Sequence, residues 1–550
     1  MSQLAPDFDY THPGTSSDVV APTDFVSLGA DEAKASVRIV LQRLVTYFIP
    51  ASLFTLTFLF GGVHAGLHLP LYASWGLLVI TSLALMPGVG ALQLWQPLLP
   101  SDSQAHASYP RSCSSSSGFC IIFLVFAVYC FAQLTVLSLT HQAHPIVGSV
   151  SNLALSSESW AALRDITASL MLFFLARKHL VPTLAAAERW ASALVALGGL
   201  VALFALGHWF YDNGKLLGIF EPDSVFISER ARWPFVNPNS LGQFLLLPIF
   251  LSFSVVTTRI AALRNSMGRC RARNNTHTKQ LLTDTGVQRA FGLVVYASIV
   301  VVIMLMALAA SLSRGSWAGV IAGMIIFLAL QVREPKKASG TLSQQAQTRR
   351  RRRTPSKAPA YAPKSSLLRY GLLLLALGGV LWLSLNGRGL ELIDARIEYG
   401  LLHTKEDIRW EMYRTTINML LDQPWFGIGL GSWAGIFPQY MSPALAGLNP
   451  VYLHSDPLQA LVELGVLGFS LVLILALYIP QRLVRHGPAL SRSAFQIARA
   501  VVSGCSALFV ASLFDFPLRI PAIVCLLSVC LALACVALDS SGEQVVLDSH

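Results

Sequence analysis

The sequence predicts an all-α polytopic membrane protein with about twelve transmembrane helices, and three observations lead to that fold class. Of its 550 residues, 54% are apolar and 13% are charged, about half the charged share of an ordinary soluble domain. Too few charges remain to clothe several soluble cores in polar shells. The apolar residues gather into runs of about 20, the length a helix needs to cross the hydrocarbon core while satisfying its own backbone hydrogen bonds. The basic residues gather in alternate connections between those runs, the pattern that marks cytoplasmic loops.

Taken in order, the runs lie near 44–63, 71–91, 119–139, 158–176, 190–208, 239–257, 290–311, 316–332, 367–385, 460–480, 497–515 and 519–538. Ahead of them, residues 1–37 are polar and acidic, with Asp7, Asp9, Asp18, Asp24, Asp31 and Glu32. They read as a disordered cytoplasmic tail. No basic start leads into an apolar core, so the first span is expected to serve as its own targeting signal. Residues 38–257 then hold six spans and an external loop at 209–238. A basic cytoplasmic loop follows at 258–289, with Arg259, Arg264, Arg269, Arg271, Arg273, Lys279 and Arg289. Two spans occupy 290–332. A second basic cytoplasmic loop, 333–366, carries the run Arg349–Arg353 in a Ser/Pro/Gln-rich setting that reads as disordered. One span covers 367–385, a large external loop covers 386–459, three spans cover 460–538, and 539–550 form a cytoplasmic tail.

A net charge of +11 would raise nucleic-acid binding in a soluble protein. Its distribution argues against a nucleic-acid partner here. Arg177, Lys178 and Arg189, and later Arg482, Arg485 and Arg492, join the two basic loops on one side, and one missed or invented span would break that alternation. The surplus sets topology and suits contact with anionic headgroups of the lipid bilayer. The eight cysteines lie mostly inside apolar runs without a CxxC pair, which points to neither a disulfide framework nor a zinc site. No HExxH or glycine-rich phosphate loop is present, so the expectation is metal-independent chemistry without a cofactor.

Polar residues collect at the external face in three groups. Arg230 and Arg232 precede Asn237-Pro238-Asn239 at the start of the sixth span. Two guanidinium forks suit phosphate or carboxylate, and the Asn-Pro-Asn can cap a helix whose positive end favours an anion. The same residues also suit an interfacial anchor with an ordinary cap. Ser313-Arg314-Gly315 marks the reversal between the seventh and eighth spans, where an arginine either serves a paired or wet site or snorkels to headgroups. His454-Ser455-Asp456-Pro457 opens the tenth span. A neutral imidazole there can accept a proton or attack an electrophile, or it can be structural. Asp515 is expected to pair with Arg519 or with an arginine above it, and Arg164 and Asp165 either neutralise each other or line a cavity. The stretch 405–422 carries Arg409 and Arg414 and has helical spacing of Ile408, Met412, Ile417, Leu420 and Leu421. It reads as an amphipathic helix lying on the membrane surface or packed over the bundle.

Together these groups resemble the O-antigen ligase and polymerase superfamily of bacterial envelope glycosyltransferases. The resemblance is carried by Arg230 through Gly242, by Ser313-Arg314-Gly315, by Asp422 through Ser432, by His454 through Gly468 and by Phe514-Asp515-Phe516-Pro517. Ser455 stands where many relatives have Asn, either Arg230 or Arg232 fits the first arginine position, and the cytoplasmic insert at 333–364 is longer than usual.

What the resemblance implies is a GT-C-like glycosyltransferase bundle with a large periplasmic loop, set in a bacterial inner membrane with both termini cytoplasmic. It implies transfer of a glycan from undecaprenyl diphosphate to an acceptor hydroxyl, on lipid A core or a growing polysaccharide, in lipopolysaccharide biosynthesis. An O-antigen or exopolysaccharide polymerase and a protein O-oligosaccharyltransferase share that donor. In this reading His454 is the base or a covalent nucleophile, and Arg230, Arg232 and Arg314 bind diphosphate. Asn237, Asn239, Arg409, Arg414, Asp456 and Asp515 support them. A multi-span transporter is the competing class, but it would string polar residues through the midplane, whereas these gather at one face.

Overall fold

The computed structural model describes residues 22–58, 65–84, 115–140, 157–211, 230–274, 284–332, 334, 408–448 and 450–540. Helices follow the apolar runs. They are α1 (Pro22–Phe58), α2 (Ala65–Ala84), α3 (Ser115–Thr140), α4 (Ser157–Leu175), α5 (Leu184–Phe210), α6 (Pro238–Asn274), α7 (Thr285–Ala310), α8 (Arg314–Gln331), α9 (Ile408–Asp422), α10 (Asp456–His486), α11 (Arg492–Ser512) and α12 (Pro521–Asp539). Among the described residues, ten helices are long and apolar enough to cross a membrane. Each expected span falls on a helix except 367–385, which lies outside the described residues, as does the arginine run of the second basic loop.

Two boundaries differ from the expectation. The first helix starts at Pro22, inside the segment read as a disordered tail. The Ala, Glu and Lys within 22–37 propagate a helix once the apolar span anchors it. The sixth helix continues to Asn274, well into the basic loop expected from 258, because no proline interrupts that stretch. In α2 the described apolar stretch is Leu69–Thr81, and residues 85–91 of the expected span lie outside the described residues.

Helices α11 and α12, and α6 up to Ser254, are mostly buried, with Phe244, Phe250, Phe495, Ile523 and Leu533 among their enclosed side chains. Where α8 crosses α11, a Cβ on Gly319 would stand 2.5 Å from the carbonyl oxygen of Ala507. Only glycine permits that approach, the usual device for close helix packing in lipid.

Polar side chains collect at both ends of the bundle. At the end assigned to the cytoplasm, Arg177 donates to Ser116 Oγ over 2.7 Å and lies 3.4 Å from Asp539. Nearby Arg492 meets Glu334 at 2.8 Å, and the buried Arg499 stacks 3.8 Å over the Phe327 ring while bonding Gln331 and Gln496. The opposite end gathers residues 230–239, 311–314, 454–463 and 513–519. There α9 packs over the start of α10 through a small separate core of Met412, Met419, Trp433, Phe437, Leu453 and Val462. The stretch read as amphipathic therefore lies over the bundle, with Trp410, Ile417 and Leu421 exposed on its other face.

Candidate functional site

The turn between α7 and α8 sets the first edge of the site. Leu312 adopts a left-handed φ of 49°, and Ser313 caps α8, its hydroxyl accepting from the Ser316 amide at 3.4 Å. Arg314 thereby becomes the first helical residue, exposed at the positive end of α8. Among the described residues it makes no hydrogen bond or ion pair. Its neighbour Gly315 lies against the Ala511 backbone, close to the Phe514 side chain.

Residues 230–239 wrap this turn. The Ala231 amide donates to the Ala310 carbonyl at 3.0 Å, and Arg230 Nε donates to the Ser311 carbonyl at 2.8 Å. Asn237 caps α6, its Oδ1 accepting from the Asn239 amide at 2.9 Å. The two arginines separate in fate. Arg232 is 0% exposed, turned into the protein, whereas Arg230 is half-buried and donates through Nη2 to Asn239 Oδ1 at 2.6 Å.

From Asn239 the contacts run on to the other half of the site. Its Nδ2 donates to Asp515 Oδ2 at 2.8 Å, and Asp515 Oδ1 lies 3.4 Å from Nδ1 of His454. Asp515 Oδ1 also accepts from the Phe516 amide at 3.0 Å. The Asp515 side chain is 7% exposed and that of His454 33%, so the acid is enclosed and the imidazole reachable. Burial works to raise the Asp515 pKa, but the adjacent His454, the Arg409 charge and the Asn239 amide outweigh it and hold it below the usual carboxylate value.

His454 itself has φ 59°, a conformation that costs a side-chain-bearing residue about 1–2 kcal/mol. Its surroundings enforce it. Tyr413 donates its hydroxyl proton to the His454 carbonyl at 2.9 Å, the Leu453 amide donates to Gln459 Oε1 at 3.1 Å, and the Phe516 ring lies 5.0 Å from the imidazole. The expected pairing of Asp515 with Arg519 does not occur. A single turn of helix, Pro517–Arg519, carries Arg519 away toward Glu463 at 3.1 Å and Asp456 at 3.9 Å. Asp456 opens α10, accepting from the Leu518 amide at 2.8 Å, while its own amide donates to the Asp515 carbonyl at 3.2 Å. Gln459 bonds Glu463 at 2.8 Å, tying the histidine turn to this buried cluster.

Helix α9 closes the arrangement. Arg409 donates to the Phe514 carbonyl at 3.1 Å, and Tyr413, one turn later on the same face, holds the His454 carbonyl. Arg414 points elsewhere, exposed and paired with Glu411 at 3.3 Å. Arg164 and Asp165 neutralise each other at 2.9 Å on α4.

Sequence reasoning missed the break in α10. Gly465 has φ 65° and ψ 179°, which interrupts the helix. Residues 424–430 fill the gap. The Val466 and Leu467 amides donate to the Pro424 and Trp425 carbonyls at 2.8 and 3.2 Å. In return the Ile428 and Gly429 amides donate to the Val462 and Glu463 carbonyls, each at 3.0 Å. A Cβ on Gly427 would stand 2.4 Å from the Gly465 amide nitrogen, and one on Gly465 would stand 2.4 Å from that of Gly427. The signal was present in the alternating Gly427, Gly429 and Gly431, all with positive φ, and in the glycine two places after Glu463.

Residues 299–473 match the family model described as O-Antigen ligase. The matched stretch includes Arg314, α9, the glycine segment and His454, and stops short of Asn239 on one side and Asp515 on the other. Comparison with curated protein sequences gives no match.

Proposed function

We propose that this chain, whose residues 299–473 match the O-antigen ligase family model, transfers a glycan from undecaprenyl diphosphate to an acceptor hydroxyl at the periplasmic face of a bacterial inner membrane. The observation that carries this reading is the continuous contact path from Arg230 through Asn239 and Asp515 to His454. It draws two arginine-bearing segments and one imidazole into a single centre at one end of the bundle.

In the proposed reaction Asp515 faces Nδ1 of His454 and so leaves Nε2 to take the proton from the acceptor hydroxyl. The acceptor oxygen bonds to the anomeric carbon as the bond from that carbon to the diphosphate oxygen breaks. The lipid diphosphate leaves as an anion and the proton remains on His454. Negative charge grows on the leaving group, where fixed cations lower the barrier most. Arg314, exposed at the positive start of α8, and Arg409, half-buried above Phe514, are the cations we assign to it. Arg230, committed to Ser311 and Asn239, holds the path in place and adds charge. Arg232, fully enclosed, serves the packing of the wrap. The ligase reading takes lipid A core as acceptor.

The test is a deletion strain complemented with wild type or His454→Ala, with lipopolysaccharide and carrier-linked glycan analysed. The expected result is loss of polymer from the lipid core while long polymer stays on the carrier, restored by wild type alone. Single repeat units would instead indicate a polymerase, and unchanged envelope glycans would overturn the proposal.

A further inference from the structure

The segment after α9 does not stay above the bundle. Phe426 offers its carbonyl to Gln133 Nε2 at 2.5 Å, and Gln133 lies inside the apolar span Ser116–Val136 of α3. That places the contact about 5 Å below the end of the span, at 1.5 Å of rise per residue. Trp425 offers its carbonyl to the Leu467 amide, which is inside the span that begins at Asp456. The backbone at 425–426 is thus sealed by hydrogen bonds to two membrane-spanning helices, the condition under which non-helical chain is tolerated at membrane depth. Its side chains point the other way: Trp425 is 63% exposed and Phe426 60%.

These rings continue an apolar band that already faces lipid. Val466 and Leu467 are exposed beside them, and the stripe runs down α10 through Ile474 and Leu477. On α3, Phe131 is exposed close to Gln133. We propose that Trp425 and Phe426 are a membrane foot, inserted among the acyl chains of the leaflet on the site's side. The occupant is phospholipid. An indole and a phenyl ring at the edge of the hydrocarbon suit that position. The foot anchors α9 at one end, while Arg409 and Tyr413 tie its other end to the carbonyls of Phe514 and His454.

The test uses the intact chain in vesicles of phosphatidylethanolamine and phosphatidylglycerol doped with a phospholipid bearing a photoactivatable diazirine in its acyl chain. After irradiation, adducts are mapped by peptide mass spectrometry. The expected result is an adduct yield on Trp425 and Phe426 comparable to that on Val466 through Leu477, which serves as the internal standard. Labelling of the α10 stripe with none at 425–426 would overturn the proposal. So would a crosslink from 425–426 to a second protein copy in place of lipid.

Discussion

Nδ1 of His454 lies 3.4 Å from Oδ1 of Asp515, and the two residues reach each other from separate helix ends, one just before α10 and one just after α11. The second carboxylate oxygen is held by Asn239 at 2.8 Å. In the proposed function this contact sets an enclosed acid, itself held by a third residue, beside the imidazole that serves as general base. The left-handed backbone at His454 is sustained by the Tyr413 and Gln459 contacts, each worth about 0.5–1.5 kcal/mol. The strain is therefore offset locally.

Asp515→Asn keeps the size of the side chain and removes its charge. Turnover is expected to fall about 10²-fold or more, the range seen when general-base assistance is lost, with KM changed much less. Initial rates of glycan transfer over a range of donor concentrations check this, and an unaltered kcat would remove Asp515 from the orienting role.

Arg314 and Arg232 should respond in opposite ways. Arg314 is exposed and is proposed to hold the diphosphate, so Arg314→Lys should abolish most activity and leave thermal stability unchanged, an ammonium being unable to reproduce the planar fork. Arg232 is enclosed, so Arg232→Ala should lower stability by about 2 kcal/mol or more, as emptying an occupied site does. Thermal melts and transfer assays on both purified variants separate the two outcomes.

The break in α10 makes a sharp contrast among glycines. Gly465→Ala and Gly427→Ala force a methyl group against backbone at 2.4 Å, and both should prevent assembly of the native fold. Gly447 also has a positive φ of 87° but open space around it, so Gly447→Ala should cost only the backbone penalty of about 1–2 kcal/mol. Size-exclusion behaviour and melting temperature in detergent read the difference.

The acid limb of stability carries a signature of Asp515. Its folded pKa is depressed below the ordinary 3.8, so the stability it contributes is fully present above the unfolded value and is lost as pH falls through the folded one. The difference in melting temperature between wild type and Asp515→Asn should stay constant above about pH 5 and shrink below it. A difference that grew toward low pH would contradict the assignment.

Much of the helical architecture was legible because lipid imposes a simple rule on length and polarity, and the helix expected over 405–422 emerged from helical spacing, its described part being Ile408–Asp422. Helix ends were less legible: α6 runs on to Asn274 because charged residues form a helix as readily as apolar ones once it is started. At the site, the sequence singled out His454, Arg314, Arg230 and Asp515 as separate groups, but nothing in their spacing says that Asn239 bridges Arg230 to Asp515. Of the two arginine partners expected for Asp515, the turn at Pro517–Arg519 sends Arg519 to Glu463, while the charge of Arg409 on α9 does act on Asp515. The α10 break escaped because a glycine inside an apolar run reads as helix until a second chain segment is known to fill the gap.

The most direct measurement is glycan transfer by the purified, reconstituted protein from a synthetic polyprenyl diphosphate donor, comparing wild type with His454→Gln. The account predicts that the variant still binds donor but transfers at least about 10²-fold more slowly, the contribution of a positioned base. Transfer by His454→Gln at the wild-type rate would contradict it.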